Sequence, residues 1–362
     1  MITKTKLLRL STALILFSSS LCMAVENRWT HFGVRPLAMG NAYVSVADDF
    51  NALFYNPAGL ARLVEWDGEL INPYLSFGTE TKDLITDVID LTSSNPGTSD
   101  VLTFFEGKTG KNLHASLGLT PHLIFQNIGF GIGLNTGVDA TMHSDLDIDL
   151  KAGIEIILPV SYARNFLNDR LSVGGSIKLR SFAGIDATLD ITELSSLSED
   201  DSENSPEQVG NGVGVDLGIL FTPVEVMSPT LGISITDLGG TPFQKTGDLN
   251  KPNDVLPSVN TGFSIMPYKT DFSFLRLALE AHSINQPIHY SHKLHFGAEM
   301  GVSSIFKIQA GLKDGYLAGG FEFDVGLLSL RYANHVVDHG PIVGINDGLI
   351  DRRHILQIKL LI

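Results

Sequence analysis

The sequence predicts an all-β protein, a 14-stranded antiparallel transmembrane β-barrel with an N-terminal hatch of short helices and turns inside its lumen. Three observations lead to this prediction. Polar and apolar residues alternate with a period of two in many segments. Most of these segments reach about 10 residues, the length of a tilted strand that crosses a membrane. Short links between these segments alternate with links that are mostly longer.

The first element in chain order is a secretory signal peptide, predicted over residues 1–24. It has a cationic start, an apolar stretch over 10–21, and a small-x-small cleavage site from Cys22 to Ala24. Leu21 occupies the place where a lipoprotein signal needs a small residue, so we expect no lipid anchor. Cys22 is the single cysteine of the chain, so the mature protein needs an extensive bonding system other than disulfides.

The composition excludes several classes of protein. The formal charge of −15 argues against a nucleic-acid partner, whereas an acidic surface is compatible with solvent or a lipopolysaccharide layer. The sequence after the signal lacks the run of about 18 apolar residues that a membrane-spanning helix requires. Hydrophobic residues are nevertheless 43% of the chain, so a large apolar surface must face a core or lipid.

The second element, predicted over residues 25–66, is the hatch, a segment rich in turns and alanine. We expect Asp48 or Asp49 to cap a short helix that ends at Tyr55. Pro57 restricts Asn56 to an extended conformation and stops that helix, and Gly59 permits a further turn. Small side chains keep the segment thin enough to fit within a barrel; these are Ala38, Ala42, Ala47, Ala52, Ala58 and Ala61.

The third element, predicted over residues 67–362, is the barrel wall. Its predicted strands are 69–79, 112–125, 128–142, 147–164, 170–188, 210–223, 229–239, 256–267, 272–284, 291–302, 304–313, 315–324, 327–338 and 352–362. The short links are 126–127, 165–169, 224–228, 268–271, 303 and 325–326, and the long links include 80–111, 189–209, 240–255 and 339–351. Short turns at one end and long loops at the other are typical of a barrel in the bacterial outer membrane.

Two long loops have features of their own. Apolar spacing predicts amphipathic helices over 82–91 and 100–105, which would lie over the barrel mouth. Residues 193–208 are acidic and rich in serine, so we expect a mobile outer loop there.

The inward face of the C-terminal strands carries charges of both signs. Alternation places Arg276, Glu280 and His282 on the polar face of one strand. They are expected to face a mixed set on the following strands, namely Lys293, His295, Glu299, Lys307, Lys313, Glu322 and Asp324. Such a pattern predicts ion pairs across the interior wall, where a conduit for fatty acids would be expected to be more apolar.

The hatch sequence resembles the N-terminal segment of FadL-like outer-membrane transport proteins and of their PorV/PorQ-type relatives. The matching residues are Gly33-x-Arg35-x-Leu37-x-Met39-Gly40-x-Ala42, Val46-Ala47-Asp48-Asp49 and Ala52-Leu53-Phe54-Tyr55-Asn56-Pro57-Ala58-Gly59-Leu60. The resemblance implies a plug inside a fourteen-stranded barrel, with the Asn-Pro-Ala motif on the plug. It also implies a kink for lateral ligand exit in the third strand, where the glycine-rich stretch 129–137 lies.

The expected functional residues belong to the hatch. They are Phe54, Tyr55, Asn56, Pro57, Ala58 and Gly59, as a ligand-binding site or gate. The same Asn-Pro-Ala-Gly motif is also explained as a helix stop followed by a turn. Both interpretations stay open at this point.

The residues offer no pattern for an enzyme, a metal or a cofactor. His292 and His295 fall on opposite faces of a strand, although zinc ligands must converge, and a loose chelate of His335, Asp338 and His339 is the alternative. A G-x-S-x-G elbow is absent from the sequence. The glycine-rich stretch 129–137 lacks the G-K-[ST] of a phosphate loop. We therefore expect no catalytic residues, no metal ligands and no cofactor.

Two functions remain. The resemblance implies passive transport of small hydrophobic compounds, such as long-chain fatty-acid-like molecules, by ligand binding and hatch rearrangement. The alternative is a PorV-type surface scaffold or shuttle component of a protein secretion system. The expected partners are outer-membrane lipid and lipopolysaccharide, with a hydrophobic ligand in the first case and a secreted protein in the second.

Overall fold

A computed structural model describes residues 33–63, 66–93, 103–104, 107–143, 147–190, 206–303, 305–326, 328–340 and 350–360. The predicted signal peptide, residues 1–24, lies outside the described residues, as does most of the acidic loop 193–208. Of the predicted helix over 100–105, only residues 103–104 are described.

The described residues form a closed barrel of 14 antiparallel strands, as the sequence predicts. In chain order the strands are β1 (Asp67–Glu69 and Tyr74–Gly78), β2 (Asn112–Leu119 and His122–Phe125), β3 (Ile128–Gly131 and Gly133–Met142), β4 (Ile148–Phe166), β5 (Leu171–Leu189), β6 (Glu207–Phe221), β7 (Thr230–Thr236), β8 (Ser258–Lys269), β9 (Ser273–Ala281), β10 (Leu294–Val302), β11 (Phe306–Lys313), β12 (Tyr316–Asp324), β13 (Leu328–Asp338) and β14 (Ile350–Leu360). Strand β14 pairs with β1, with Gln357 opposite Tyr74, and so closes the wall.

The first three strands are each interrupted. The gap in β1 spans residues 70–73, the gap in β2 is at Thr120 and Pro121, and the gap in β3 is at Ile132. The segment Asp67–Glu69 of β1 pairs with the second segment of β2, His122–Phe125. The segment Tyr74–Gly78 of β1 pairs with the first segment of β2, Asn112–Leu119. Pro121 has no N–H to donate to a neighbouring strand, which favours a break there. The interruption of β3 falls within the glycine-rich stretch where the sequence predicts a bend.

The links define two ends of the barrel. The turn end carries the short links, such as Gln126-Asn127, whose backbone is left-handed at both residues. The loop end carries the long links, including the segment after β7, where a short strand Phe243–Lys245 pairs with β6. The helix predicted over 82–91 is confirmed as a helix over Thr81–Ser93. The described helices include none that is long and apolar enough to cross a membrane.

The wall is apolar outside and polar inside, as the period of two predicts. Outward side chains are exposed hydrocarbon, for example Ile177 at 57%, Leu279 at 58% and Leu317 at 70%. Inward neighbours such as Lys178 and Glu280 are buried. Exposed apolar side chains around a closed wall are favourable only next to lipid, so this barrel is built to sit in a membrane.

The hatch fills the lumen between these walls. Its described part, residues 33–63, contains helix α1 (Val34–Ala38), helix α2 (Ala52–Tyr55) and a 3₁₀ helix over Pro57–Arg62. Its alanines are buried, and the hatch supplies most of the largest apolar core. The prediction that Asp48 or Asp49 caps the helix is wrong. Asn51 occupies the N-cap position, and the Asp49 carboxylate accepts from its backbone N–H at 2.8 Å.

Candidate functional site

Arg35 binds the hatch to the wall through a cluster of buried ion pairs. Its Nε and Nη2 atoms donate to the two carboxylate oxygens of Glu299 on β10, both at 2.6 Å. Its Nη1 atom donates to Asp48, Asp49 and the hydroxyl of Tyr43, at 2.8, 3.0 and 2.6 Å. Two parallel bonds between a guanidinium and a carboxylate fix geometry as well as charge.

Arg276 on β9 completes this cluster from the opposite side. It pairs with Asp48 at 2.7 Å and with Glu299 at 3.3 Å. Burial alone would disfavour ionisation of Asp48, but the guanidinium groups of Arg276 and Arg35 hold its pKa well below the usual range for a carboxyl group. The hatch carboxylate is therefore ionised and tied to the wall.

A second anchor is Glu280 on β9. Its carboxylate accepts from three consecutive backbone N–H groups of the hatch, those of Tyr43, Val44 and Ser45, each at 2.8 Å. The Ser45 hydroxyl donates to the same carboxylate at 2.8 Å, and His282 Nε2 lies 2.9 Å from it. Successive amides that converge on one anion form a strong binding concavity for negative charge.

The Asn-Pro-Ala-Gly motif docks on the wall and borders neither of the two cavities described below. Asn56 is extended, as predicted, and its side-chain oxygen accepts from the Ala58 N–H at the start of the 3₁₀ helix. Its amide nitrogen donates to the Val44 carbonyl at 2.8 Å, and to carbonyls of β6 and β7 at Ile219 and Ile233, at 3.3 and 3.4 Å. The motif thus caps a helix and fastens it to two strands at once.

Glycines in the wall make this close docking possible. A Cβ added at Gly174 on β5 would lie 2.5 Å from the Pro57 carbonyl carbon, and one at Gly218 on β6 would collide with the Asn56 side chain. Gly59 is required for the same reason, since its Cβ would collide with the Ala47 carbonyl. The sequence predicts a turn at Gly59, whereas the structure gives a close approach within the 3₁₀ helix.

Phe54 is half-buried and Tyr55 is buried. They border a cavity of about 140 Å³ at the loop end of the lumen. Tyr55 is held there by a hydrogen bond from its hydroxyl to Asn41 at 2.7 Å. Of the six hatch residues predicted to be functional, the structure therefore places two at a cavity and four, Asn56 to Gly59, against the wall.

The walls of this loop-end cavity are partly charged. Lys178 pairs with Asp216 at 2.8 Å and with Asp237 at 3.1 Å. Arg180 pairs with Asp237 at 3.2 Å and with Glu155 at 3.4 Å. The rest of the lining mixes apolar side chains, among them Val44, Ile157, Val255 and Leu256, with polar ones such as Asn41, Ser258, Asn260 and Gln286. The cations are already neutralised by wall carboxylates, so the cavity offers a mixed rather than a strongly charged surface.

A separate cavity lies at the turn end of the hatch. It has a volume of about 520 Å³ and is bordered by Asp48, Arg62 and Arg276. Hatch residues border this cavity as well as the loop-end cavity.

The predicted ion pairs across the wall are present in part. Arg276 reaches Glu299, and Glu322 joins Lys307 and Arg331, both at 3.2 Å. Several members of the predicted set act differently, two of them at strand ends. Lys293 donates to the Gln286 carbonyl at 2.7 Å, and Asp324 accepts from the Gly326 N–H at 2.8 Å, because both residues lie at strand ends.

Sequence reasoning missed the role of the wall residues in holding the hatch. Glu280 and Glu299 are identified as inward-facing charges, but their partners lie more than 200 residues away in the chain. The signal that could have revealed them is the need to compensate charge and backbone N–H groups. The hatch contributes the cation Arg35 and a turn whose backbone N–H groups need acceptors. No pattern in the sequence marks Gly174 or Gly218 as docking surfaces.

The comparisons with known proteins agree with this architecture. Neither a family model nor a curated protein matches the chain. Among solved structures, the chain is similar to one described as "CymD monoaromatic hydrocarbon channel", with 12% identity, a TM-score of 0.53, and coverage of 92% of this chain and 97% of that one. It is also similar to the Ralstonia pickettii toluene transporter TbuX, with 12% identity, a TM-score of 0.51, and coverage of 92% and 99%.

At these identities the likeness concerns the fold. The shared features are the closed wall, its 14 strands and the N-terminal helices near the lumen. Together with the apolar exterior, they place the chain in the bacterial outer membrane. The chain has the barrel fold of the monoaromatic hydrocarbon channel and of the toluene transporter.

Proposed function

We propose that this protein is a passive outer-membrane channel for small hydrophobic compounds, and that Phe54 of the hatch is its gate. The observation that carries the proposal is the position of Phe54. Its side chain borders the loop-end cavity, and its ring lies 3.8 Å from where a Cβ of Gly131 would stand, at the interruption of β3. Two apolar side chains, those of Leu53 and Phe54, therefore lie between the cavity and the interruption of β3.

The wall beside the gate has no side chain at two inward positions of β3. These positions are Gly129 and Gly131, and Leu53 and Leu60 of the hatch fill the space in front of them. A Cβ at Gly129 would lie 2.7 Å from Leu53. Because the filling atoms belong to flexible apolar side chains, a ligand could displace them without breaking a hydrogen bond. Such a route leads sideways from the cavity towards the lipid.

The size of the cavity limits the ligand. Its volume of about 140 Å³ is close to that of an engineered cavity of about 150 Å³ that binds benzene. A compound with a single ring fits this volume, whereas a long acyl chain would extend beyond it. The structurally similar proteins described as a monoaromatic hydrocarbon channel and a toluene transporter support this choice of ligand over a long-chain fatty acid.

Within this proposal the hatch residues have different roles. Phe54 and Tyr55 contact the ligand, and Phe54 moves with Leu53 and Leu60, while Asn56, Pro57, Ala58 and Gly59 stay docked on β5 and β6 and act as the fixed base of the gate. The expected rearrangement is therefore confined to side chains in front of β3.

Uptake of radiolabelled toluene by cells that produce the protein tests this function. We expect faster initial uptake than in cells without the protein, and little change in palmitate uptake. Phe54→Trp makes the blocking side chain larger, and Gly131→Val adds a side chain at the interruption of β3. Each substitution should therefore lower toluene uptake several-fold. The matched control is Gly175→Ala on β5, where the added Cβ meets only ordinary contacts at 3.6 Å.

The proposal fails if the folded variants Phe54→Trp and Gly131→Val take up toluene at the rate of the unaltered protein. It also fails if production of the protein does not accelerate toluene uptake at all. Heat-dependent migration on a gel shows whether each variant forms a folded barrel.

The second candidate function is a surface scaffold for a secreted protein, and the firmly held hatch favours it. Arg35, Glu280 and Glu299 bind the hatch through buried ion pairs and amides, as a permanent stopper would require. A scaffold should retain a secreted protein at its loop end during gentle purification and should leave toluene uptake unchanged. The uptake measurement therefore separates the two candidates.

A further inference from the structure

We propose that Asp67, Glu69 and His122 form a binding site for a divalent transition-metal ion where strands β1 and β2 are interrupted. This site lies apart from the loop-end cavity and adds a property that hydrocarbon passage does not require. A bound ion would link the segment Asp67–Glu69 of β1 to the segment His122–Phe125 of β2.

The strand register brings the three side chains together. Glu69 pairs directly with His122 across the two strands, and Asp67 lies two residues before Glu69 on the same face. One nitrogen of His122 and one oxygen from each carboxylate all lie within 4.8 Å of one another. One imidazole and two carboxylates suit zinc and its neighbours in the first transition series.

The imidazole of His122 is prepared as a metal ligand. Its Nδ1 atom lies 3.0 Å from the Thr120 carbonyl oxygen. Because that oxygen can only accept, Nδ1 carries the hydrogen, and Nε2 of the neutral ring presents a bare lone pair. A backbone carbonyl that orients the far nitrogen is the usual support for a histidine bound to metal.

The ring is also fixed in place. It stacks on Phe50 of the hatch, with centroids 4.2 Å apart and planes 5° from parallel. The side chain is fully buried, and Nε2 has no hydrogen-bond partner among the described residues. A buried acceptor without a donor is costly, and here it points towards two carboxylates. A cation between them removes that cost.

The distance between His122 and Asp67 fits a shared ion. Nε2 and the Asp67 Oδ2 atom are 3.6 Å apart, which is too long for a direct hydrogen bond. Two ligands at about 2.1 Å from a tetrahedral metal are about 3.4 Å apart. A shift of a few tenths of an ångström would therefore seat both atoms on one ion.

Glu69 is the shared member of the site. Its carboxylate also accepts from Arg331 at 2.9 Å, Lys359 at 3.0 Å and Asn72 at 3.0 Å. These contacts fix the position of Glu69 and partly neutralise its negative charge. His122 and Asp67 are therefore the principal ligands, and water completes the coordination. Asp67 is 35% exposed, which provides an access route for the ion.

Titration of the chelator-treated, detergent-purified full chain with Co²⁺ tests the site. We expect a single ion per chain, d–d absorption bands of a nitrogen- and oxygen-ligated centre, and a higher thermal unfolding temperature. His122→Gln and Asp67→Asn should each weaken binding about tenfold or more. His354→Gln, which alters a histidine elsewhere in the wall, is the matched control and should bind like the unaltered protein.

The competing explanation is a protonated His122 that pairs with Asp67 alone. The metal site is overturned if the unaltered protein does not bind Co²⁺, or if binding survives both substitutions. Should His122→Gln fail to fold, Asp67→Asn decides the outcome, because Asp67 is partly exposed and its loss leaves the packing of the ring intact.

Discussion

Two wall carboxylates, Glu280 and Glu299, hold the hatch by different chemistry. Glu299 meets the guanidinium groups of Arg35 and Arg276, so its bonds are mainly between full charges. Glu280 meets mainly backbone amides, so its charge is stabilised by dipoles. Removing one partner of a buried charge leaves the other uncompensated, which costs more than the bond itself contributes. Both residues are therefore sensitive points of the plug.

Glu280→Gln should loosen the turn at Tyr43 to Ser45. The amide keeps the shape of the side chain but has one acceptor oxygen fewer and no negative charge. The lost hydrogen bonds to a charged group destabilise the docked turn by about 2 kcal/mol. Hydrogen–deuterium exchange of these amides should accelerate about 30-fold. Glu225→Gln in an exposed turn is the control, and equal exchange in both variants would contradict the role assigned to Glu280.

Asp48 makes the anchoring of the hatch resistant to acid. Its pKa in the folded protein is lowered, so it binds protons more weakly than in the unfolded chain, where the ordinary value is about 3.9. Its contribution to stability is thus complete above about pH 4 and declines only as the pH falls below that value towards the folded pKa. Amide exchange in the hatch, corrected for its intrinsic pH dependence, should stay flat from pH 7 to pH 5. Release of the hatch within that window would contradict this assignment.

At the scale of elements, the hatch and strands β5 and β6 meet backbone to backbone. The 3₁₀ helix over Pro57–Arg62 approaches these strands where they carry Gly174 and Gly218. Close approach excludes water and aligns the Asn56 amide with strand carbonyls. The motif that resembles a gate in sequence is, in its Asn-Pro-Ala-Gly part, a docking segment in this structure.

Gly174→Ala should displace the 3₁₀ helix from β5. The added Cβ would lie 2.5 Å from Pro57 backbone, a distance that forces the backbone itself to move. We expect a hatch that is cut more readily by proteases, and larger single-channel conductance. Gly175→Ala, one residue along the same strand, adds its Cβ to ordinary contacts at 3.6 Å and should behave like the unaltered protein. Identical behaviour of the two variants would contradict close docking at Gly174.

At the scale of the whole molecule, stability depends on the apolar exterior. Ile177 points outward near the middle of β5 and is 57% exposed. Ile177→Lys should destabilise the barrel by about 2–4 kcal/mol, since a charge near the bilayer centre is poorly solvated. Asn211→Lys, at an exposed position near the loop end of β6, should change stability by less than about 0.5 kcal/mol. Reversible urea unfolding in lipid vesicles measures both, and equal effects would contradict the assigned outward face.

Much of the wall could be predicted from the sequence, because strand period and loop length are local signals. The strand predicted over 170–188 is Leu171–Leu189 in the structure, and that over 327–338 is Leu328–Asp338. The hatch segment is recognisable for a similar reason, since Asn56 and Pro57 dictate their own backbone. The expected domain boundaries at residues 24 and 66 and the roles of the hatch residues stay predictions.

The rest depends on contacts that no local pattern encodes. Glu69 and His122 come together only because β1 and β2 are interrupted, whereas the sequence predicts a first strand that begins at residue 69 and a continuous second strand. The N-cap prediction is wrong because Arg35 and Arg276 engage Asp48 away from the helix. Tertiary ion pairs override a local capping preference in this segment.

The anchoring of the hatch has a consequence for the order of assembly. Arg35 is 264 residues from Glu299 in the sequence, and Tyr43 is 237 residues from Glu280. Contacts between such distant residues form late because the intervening chain must first be ordered. We therefore expect the hatch, although it is synthesised first, to complete its anchoring only after β9 and β10 have joined the wall. Complete seating of the hatch in this way marks a completed barrel, and a chain that stalls before β9 lacks the contacts that Glu280 and Glu299 make with its N-terminal segment.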